Sequence, residues 1–134
     1  MDKVNIQDIM LHEPPMLLVD EVLSYDKNLI NTSFKIKEDN IFLTEKKTLL
    51  PSALAEIMAQ SIAALNAITS KEKAKKGFLV MLKNITFLQE AKLGDTLNCE
   101  AEIVDFVAQT YIAKCEIKNQ TNILAEGEIR IFTF

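Results

Sequence analysis

Residues 50–68, LPSALAEIMAQSIAALNAI, constrain the fold more than any other part of the chain. Their Ala, Leu, Ile and Met residues fall on nearly every side of a helical wheel, so a helix here must be covered over most of its surface. Ser52 is expected to cap it, accepting an early backbone N–H. The helix is expected to run to about Lys76, where lysines complement its dipole, and to end at Gly77. One carboxylate, Glu56, interrupts the apolar run, with no Lys or Arg one turn away on either side.

The rest of the chain supplies the cover. Residues 6–11 suit a short helical turn, stopped by Pro14 and Pro15, which lack the N–H a helix needs. Residues 16–22 form a compact apolar run suited to a buried strand, and YDKN at 25–28 reads as a polar turn. Ile30, Thr32, Phe34 and Ile36 then alternate with Asn31, Ser33 and Lys35, the period of a half-exposed strand. Residues 37–50 look irregular and carry the charged cluster Glu45, Lys46 and Lys47. Beyond the helix, residues 78–87 read as a strand and LGDT at 93–96 as a turn. Alternation resumes at Leu97, Cys99, Ala101 and Ile103, and again at Tyr111, Ala113, Cys115 and Ile117. NQTN at 119–122 is a hairpin turn before a last strand over 123–134. This order fits an α+β domain spanning residues 1–134, with one curved antiparallel sheet wrapped around one long central helix. Exposed sheet edges are commonly hidden by pairing across a two-fold axis.

Composition narrows the function classes. A net charge of -4 argues against broad nucleic-acid binding, which needs basic surface. Cys99 and Cys115 have neither a C-x-x-C nor a metal spacing; both sit at apolar strand positions and read as core, so no metal site is expected. The N-terminal MDKVNIQDIM lacks the apolar run of a signal peptide. The apolar helix, interrupted by Glu56, Gln60, Ser61 and Asn66, is too short to span a bilayer comfortably. A soluble cytoplasmic protein with no membrane span is expected.

Ser52, Glu56 and Gln60 are spaced four apart and share one helical stripe. Two readings stay open. The stripe reaches solvent or a partner, with Glu56 a satisfied polar residue. Alternatively, Glu56 lies in a mostly apolar pocket, where desolvation makes it a general acid near neutral pH. The first backbone N–H groups of the helix, around Ala53 to Ala55, lack intrahelical acceptors and are placed to hold an oxyanion. Ser52, Ala53 and Gln60 are therefore substrate-binding candidates. The sole histidine, His12, is structural or catalytic; Asp20 and Glu21 are structural or solvated. Lys71, Lys73, Lys75 and Lys76 form a solvated helix end or a docking patch for an acidic partner. Met58, Ile62 and Leu65 are core or the lining of an apolar tunnel.

Two motifs resemble a known family. LHEPPMLLVDEV at 11–22 resembles the PHR-x-P-F-L-L-V-D-R-V opening of the beta-hydroxyacyl-acyl-carrier-protein dehydratases, and EIMAQSIAAL at 56–65 resembles their E-A-M-A-Q helix. The resemblance is strongest to the divergent dehydratase-like proteins of aryl polyene biosynthesis, through Pro14, Pro15 and Met16, Leu50 and Pro51, GFLVML at 77–82 and KLGDTL at 92–97. It implies a hotdog fold. The implied substrate is an acyl thioester on the phosphopantetheine of an acyl carrier protein, in fatty acid or polyene biosynthesis, with no other cofactor. It also implies a homodimer, or a heterodimer with another hotdog protein. In the main family a histidine removes the C2 proton and the helix glutamate of the other subunit protonates the leaving hydroxyl.

Glu56 matches that glutamate, standing four before the Gln of M-A-Q. The histidine is different. The family carries it in H-F-P-G, upstream of the proline before the helix, and NIFLTEKKTLLP at 40–51 has none. Ser52 replaces the glycine after that proline, the Pro-to-Glu spacing is one residue shorter, and His12 matches a different family histidine, in the opening motif. Three functions follow. The leading one is an unconventional 3-hydroxyacyl-carrier dehydratase with Glu56 as acid and His12 or a second subunit as base. The others are a half-catalytic or non-catalytic partner of another hotdog enzyme, and an acyl-thioester hydrolase in which Glu56 orients water.

Overall fold

The computed structural model describes residues 4–10, 13–70 and 79–132. Among these the chain runs α1 (Ile6–Ile9), β1 (Glu21–Tyr25), β2 (Leu29–Lys35), α2 (Pro51–Ser70), β3 (Leu79–Phe87), β4 (Thr96–Val107), β5 (Thr110–Lys118) and β6 (Ile123–Phe132). The strands form one antiparallel sheet in the order β1-β2-β4-β5-β6-β3, and α2 packs against β2 through β6. This is the α+β arrangement expected of a hotdog. No helix among the described residues is long and apolar enough to cross a membrane.

Alternation sets the register. Ile30 pairs with Ala101, and Ala101 with Cys115; Thr32 pairs with Cys99, and Cys99 with Ile117. All six are buried against α2, so a one-residue slip would turn this apolar set to solvent. The two cysteines are free thiols in the core, as expected. Burial pushes the Cys99 thiol up to about 12, against a smaller opposing effect of its hydrogen bond with Ser61. Burial, with Cys99 nearby, raises Cys115 as well.

Three expectations are corrected. Residues 16–22 are not a strand: 14–16 make a turn, Leu18 and Val19 are buried in irregular chain, and β1 begins only at Glu21 and runs through Tyr25. Their backbone is satisfied elsewhere, with Leu18 N–H donated to Gln60 and Asp20 N–H to Ser33 O. Asp20 in turn accepts Lys35 N–H at 2.7 Å, a structural role. Ser52 is not the cap. The helix starts at Pro51, whose missing N–H costs nothing in the first turn, and Ala53 N–H is accepted by Leu50 O at 2.9 Å. Residues 37–50 are more ordered than expected. Leu43 bridges Leu49 around a turn closed by Thr44 N–H on Thr48 O, and Thr48 bridges Lys92. The expected helical extension to Lys76 and Gly77 lies outside the described residues.

One irregularity is built into β3. Lys83 pairs with Glu128 and Thr86 with Glu126, which leaves an extra residue on β3. Asn84 absorbs it at φ 57. Gly127 lies beneath: a Cβ there would sit 2.7 Å from Asn84 O and from Ile85 Cα. Only glycine lets the two backbones come this close.

Candidate active site

The site grows from the second turn of α2. Gln60 is buried and ties α2 to the 16–18 segment. Its Oε1 accepts Leu18 N–H at 2.8 Å, and its Nε2 donates to Met16 O at 3.0 Å and to Glu56 Oε1 at 3.1 Å. The i, i+4 spacing brings Glu56 and Gln60 onto one face, and the long-range bonds to residues 16 and 18 fix that face against the segment after the two prolines. Glu56 is half-buried, with its carboxyl oriented by an amide that is itself held from both sides.

The opposite flank of the helix is closed by Asn66, whose Oδ1 accepts the Tyr111 hydroxyl at 2.6 Å. Burial raises the Tyr111 pKa above that of a free phenol, and its ring packs on Phe106 with centroids 4.4 Å apart. Between these two anchors, Ser52 is exposed and Glu56 and Ala59 are half-buried. Sequence reasoning noted Asn66 only as a polar interruption and Tyr111 only as a strand residue. The signal was that a polar side chain on so apolar a helix needs a partner.

The other candidates separate. Ala53 is fully buried and its N–H is already taken by Leu50 O, so it offers no free donor, contrary to expectation. Ser52 stays on the stripe, one turn before Glu56. Met58, Ile62 and Leu65 are fully buried in the core. His12, Lys71, Lys73, Lys75 and Lys76 lie outside the described residues.

Among the described residues, cavities stand away from the carboxylate. One of about 290 Å³ lies between the 44–48 turn and residues 87–91, lined by Thr44, Thr48, Leu54 and Phe87 among others. Leu54 is two residues before Glu56 and so on nearly the opposite side of α2. The larger, about 550 Å³, lies over the β3 bulge and is edged by Glu100, Glu102, Glu116, Glu126 and Glu128. Among the described residues, no group of three or more His, Cys, Asp or Glu side chains is arranged to hold a metal.

Comparison with known proteins agrees with this architecture. A model of the ApeP-like family, described as ApeP dehydratase, matches residues 4–134. The 3-hydroxyacyl-[acyl-carrier-protein] dehydratase FabZ of Chlamydia muridarum is 30% identical, over 93% of this chain and 87% of its own length. FabZ of Acetivibrio thermocellus is 26% identical, over 95% of this chain and 90% of its own length. Among solved structures, the dehydratase heterocomplex ApeI:P from Xenorhabdus doucetiae contains a chain that superposes with a TM-score of 0.87 at 17% identity, covering 99% of this chain and 93% of that one.

Proposed function

Because this chain belongs to the ApeP-like dehydratase family, we propose that it is one subunit of a hotdog dehydratase acting on 3-hydroxyacyl thioesters of an acyl carrier protein. Glu56 is the acid, and a second hotdog subunit supplies the base. The observation that carries this is the contrast around Pro51: Glu56 is held in place by Gln60, while residues 40–50 contain no imidazole.

In this reading the partner's base takes the C2 proton of the substrate. Glu56 gives its proton to the C3 hydroxyl, which leaves as water, and a 2-enoyl thioester remains. Glu56 then regains a proton from solvent as the base loses one. Gln60 is a positioning residue that aims the carboxyl. Ser52, exposed at the helix start, faces the substrate. Lys71, Lys73, Lys75 and Lys76 are the docking patch for an acidic carrier protein. The heterocomplex named for the ApeI:P neighbour supports a second hotdog subunit over a chain acting alone.

The test is turnover of a 3-hydroxyacyl carrier substrate by the chain alone and with a co-expressed hotdog dehydratase that keeps the H-F-P-G histidine. A missing general base costs about 10²- to 10⁴-fold, so the complex should exceed the lone chain by that order. Enoyl formation equal with and without the partner would overturn the shared site. Thiol release without enoyl product would assign thioester hydrolysis instead.

A further inference from the structure

After the two prolines, neighbouring side chains part company. Leu18 and Val19 are buried, and Leu17 is half-buried against the core. Met16 is 50% exposed. The cavity of about 250 Å³ beside this segment is lined by Pro14, Pro15, Leu17 and Val19 but not by Met16, which faces away from it. The Met16 backbone is nevertheless fixed at both ends. Its N–H is donated to Glu13 O at 2.8 Å, and its carbonyl accepts Gln60 Nε2 at 3.0 Å. The same Nε2 donates to Glu56 Oε1 at 3.1 Å, so a single amide nitrogen joins Met16 to the proposed acid. One exposed apolar side chain is ordinary on a protein surface. One anchored beside the acid is different, because the substrate has to come there.

The stripe has a polar end and an apolar end. Four residues advance a helix by about 6 Å, so Ser52 lies one turn before Glu56, and Gln60, with Met16 attached, one turn after. Ser52 is exposed; Ala59, half-buried, lies on the Gln60 side of Glu56. A substrate whose C3 hydroxyl comes within about 2.6–3.2 Å of Glu56 extends in two directions from that carbon. C2 and the thioester go one way, C4 and the rest of the chain the other. The thioester carbonyl needs a hydrogen-bond donor. Ser52 offers a hydroxyl, whereas Met16 has a thioether and an N–H already donated to Glu13 O.

We infer that Met16 is a specificity-determining residue for the dehydration proposed above, on which its role rests. The thioester lies toward Ser52. C4 and the carbons after it run along Met16 and Ala59, and this contact favours acyl chains with several carbons beyond C3 over 3-hydroxybutanoyl, which has one. Methionine suits the place, since its unbranched, polarizable side chain adapts to the hydrocarbon it meets. Its pinned backbone keeps that adaptable group beside the acid while the side chain moves.

The test is kcat/KM of the complex with the co-expressed histidine-bearing hotdog dehydratase, on 3-hydroxyoctanoyl and 3-hydroxybutanoyl carrier substrates. Even one methylene against an apolar wall changes kcat/KM by about tenfold, so Met16→Ala should lower the octanoyl-to-butanoyl ratio by about tenfold. Met16→Leu keeps most of the apolar wall and should lower it by about threefold or less. A ratio that stays within about twofold in Met16→Ala would overturn the inference, whether both values fall alike or neither moves. Met16 would then support the fold or the acid, or stand clear of the substrate. Loss of association with the dehydratase in Met16→Ala, seen by light scattering, would make Met16 a subunit contact and overturn the inference as well. These outcomes leave the dehydratase function standing. If the wild-type complex forms no enoyl product from either carrier substrate, that function itself fails, and the role of Met16 with it.

Discussion

The chain on either side of Pro51 uses its polar groups in opposite ways. Residues 40–50 spend their side-chain polar groups locally, although their backbone is tied to residues 91–93. Asn40 Oδ1 accepts Phe42 N–H at 2.8 Å, the Thr44 and Thr48 hydroxyls lie 2.8 Å apart, and Thr44 Oγ1 accepts Thr48 N–H at 3.3 Å. The charged Glu45, Lys46 and Lys47 point to solvent. Residues 51–61 spend theirs at long range: Gln60 reaches residues 16 and 18, and Ser61 Oγ lies 2.8 Å from Thr32 Oγ1. One stretch is a clamp whose side chains close on one another. The other is a junction that carries a chemical group. In the proposed function the acid lies on one side of the proline, with a scaffold on the other.

The comparison makes Glu56→Gln the most damaging conservative change. It keeps size and a hydrogen-bonding end but removes the transferable proton. Turnover by the complex should fall about 10²- to 10⁴-fold with the thermal unfolding midpoint little changed. Unchanged turnover would reduce the junction to architecture. Gln60→Met comes next. It keeps volume and leaves the buried Leu18 N–H and the part-buried Met16 O without their partner, at about 1–3 kcal/mol for the first and less for the second. A loss of about 3 kcal/mol in denaturant unfolding is expected, together with a fall in kcat larger than any rise in KM, because a misaimed carboxyl affects the chemical step more than binding. Loss of stability alone would make Gln60 a structural tie.

These contrasts also show what could be read locally. The helix and the strands after it were legible because each repeats its own period, and Glu56 with Gln60 because four residues is a helical turn. Residues 16–20 were misread as a strand because their backbone partner, Gln60, is 42 residues from Leu18. The clamp at 43–49 was missed because its bridge to Lys92 leaves no periodicity in either segment. The start of the helix was misplaced because Ser52 is a good cap by type, whereas Pro51 is a better first helical residue by geometry. The stripe of Ser52, Glu56 and Gln60 was legible from its spacing, but its far border at Asn66 was not, since that depends on Tyr111, 45 residues away.

The clamp side of the comparison predicts smaller effects. Thr44→Val removes one hydroxyl from a half-buried pair and should cost about 1 kcal/mol. Turnover by the complex should stay within about twofold; a larger fall would mean that the clamp holds the substrate or the partner. The core thiols then provide a finer measurement. Cys99, raised to about 12 by burial, and Cys115, raised in the same direction, stay protonated and enclosed at pH 8. They should react with an alkylating reagent only when the core opens. If opening is global, labelling tracks stability, so Gln60→Met should speed it about a hundredfold and Thr44→Val about fivefold, following 1.4 kcal/mol per factor of ten. If the clamp opens on its own, Thr44→Val should lose its small stability increment with no change in labelling. That outcome would separate the two sides of Pro51 into different cooperative units. A fivefold change would join them, with the scaffold supporting the helix start from which Glu56 is presented.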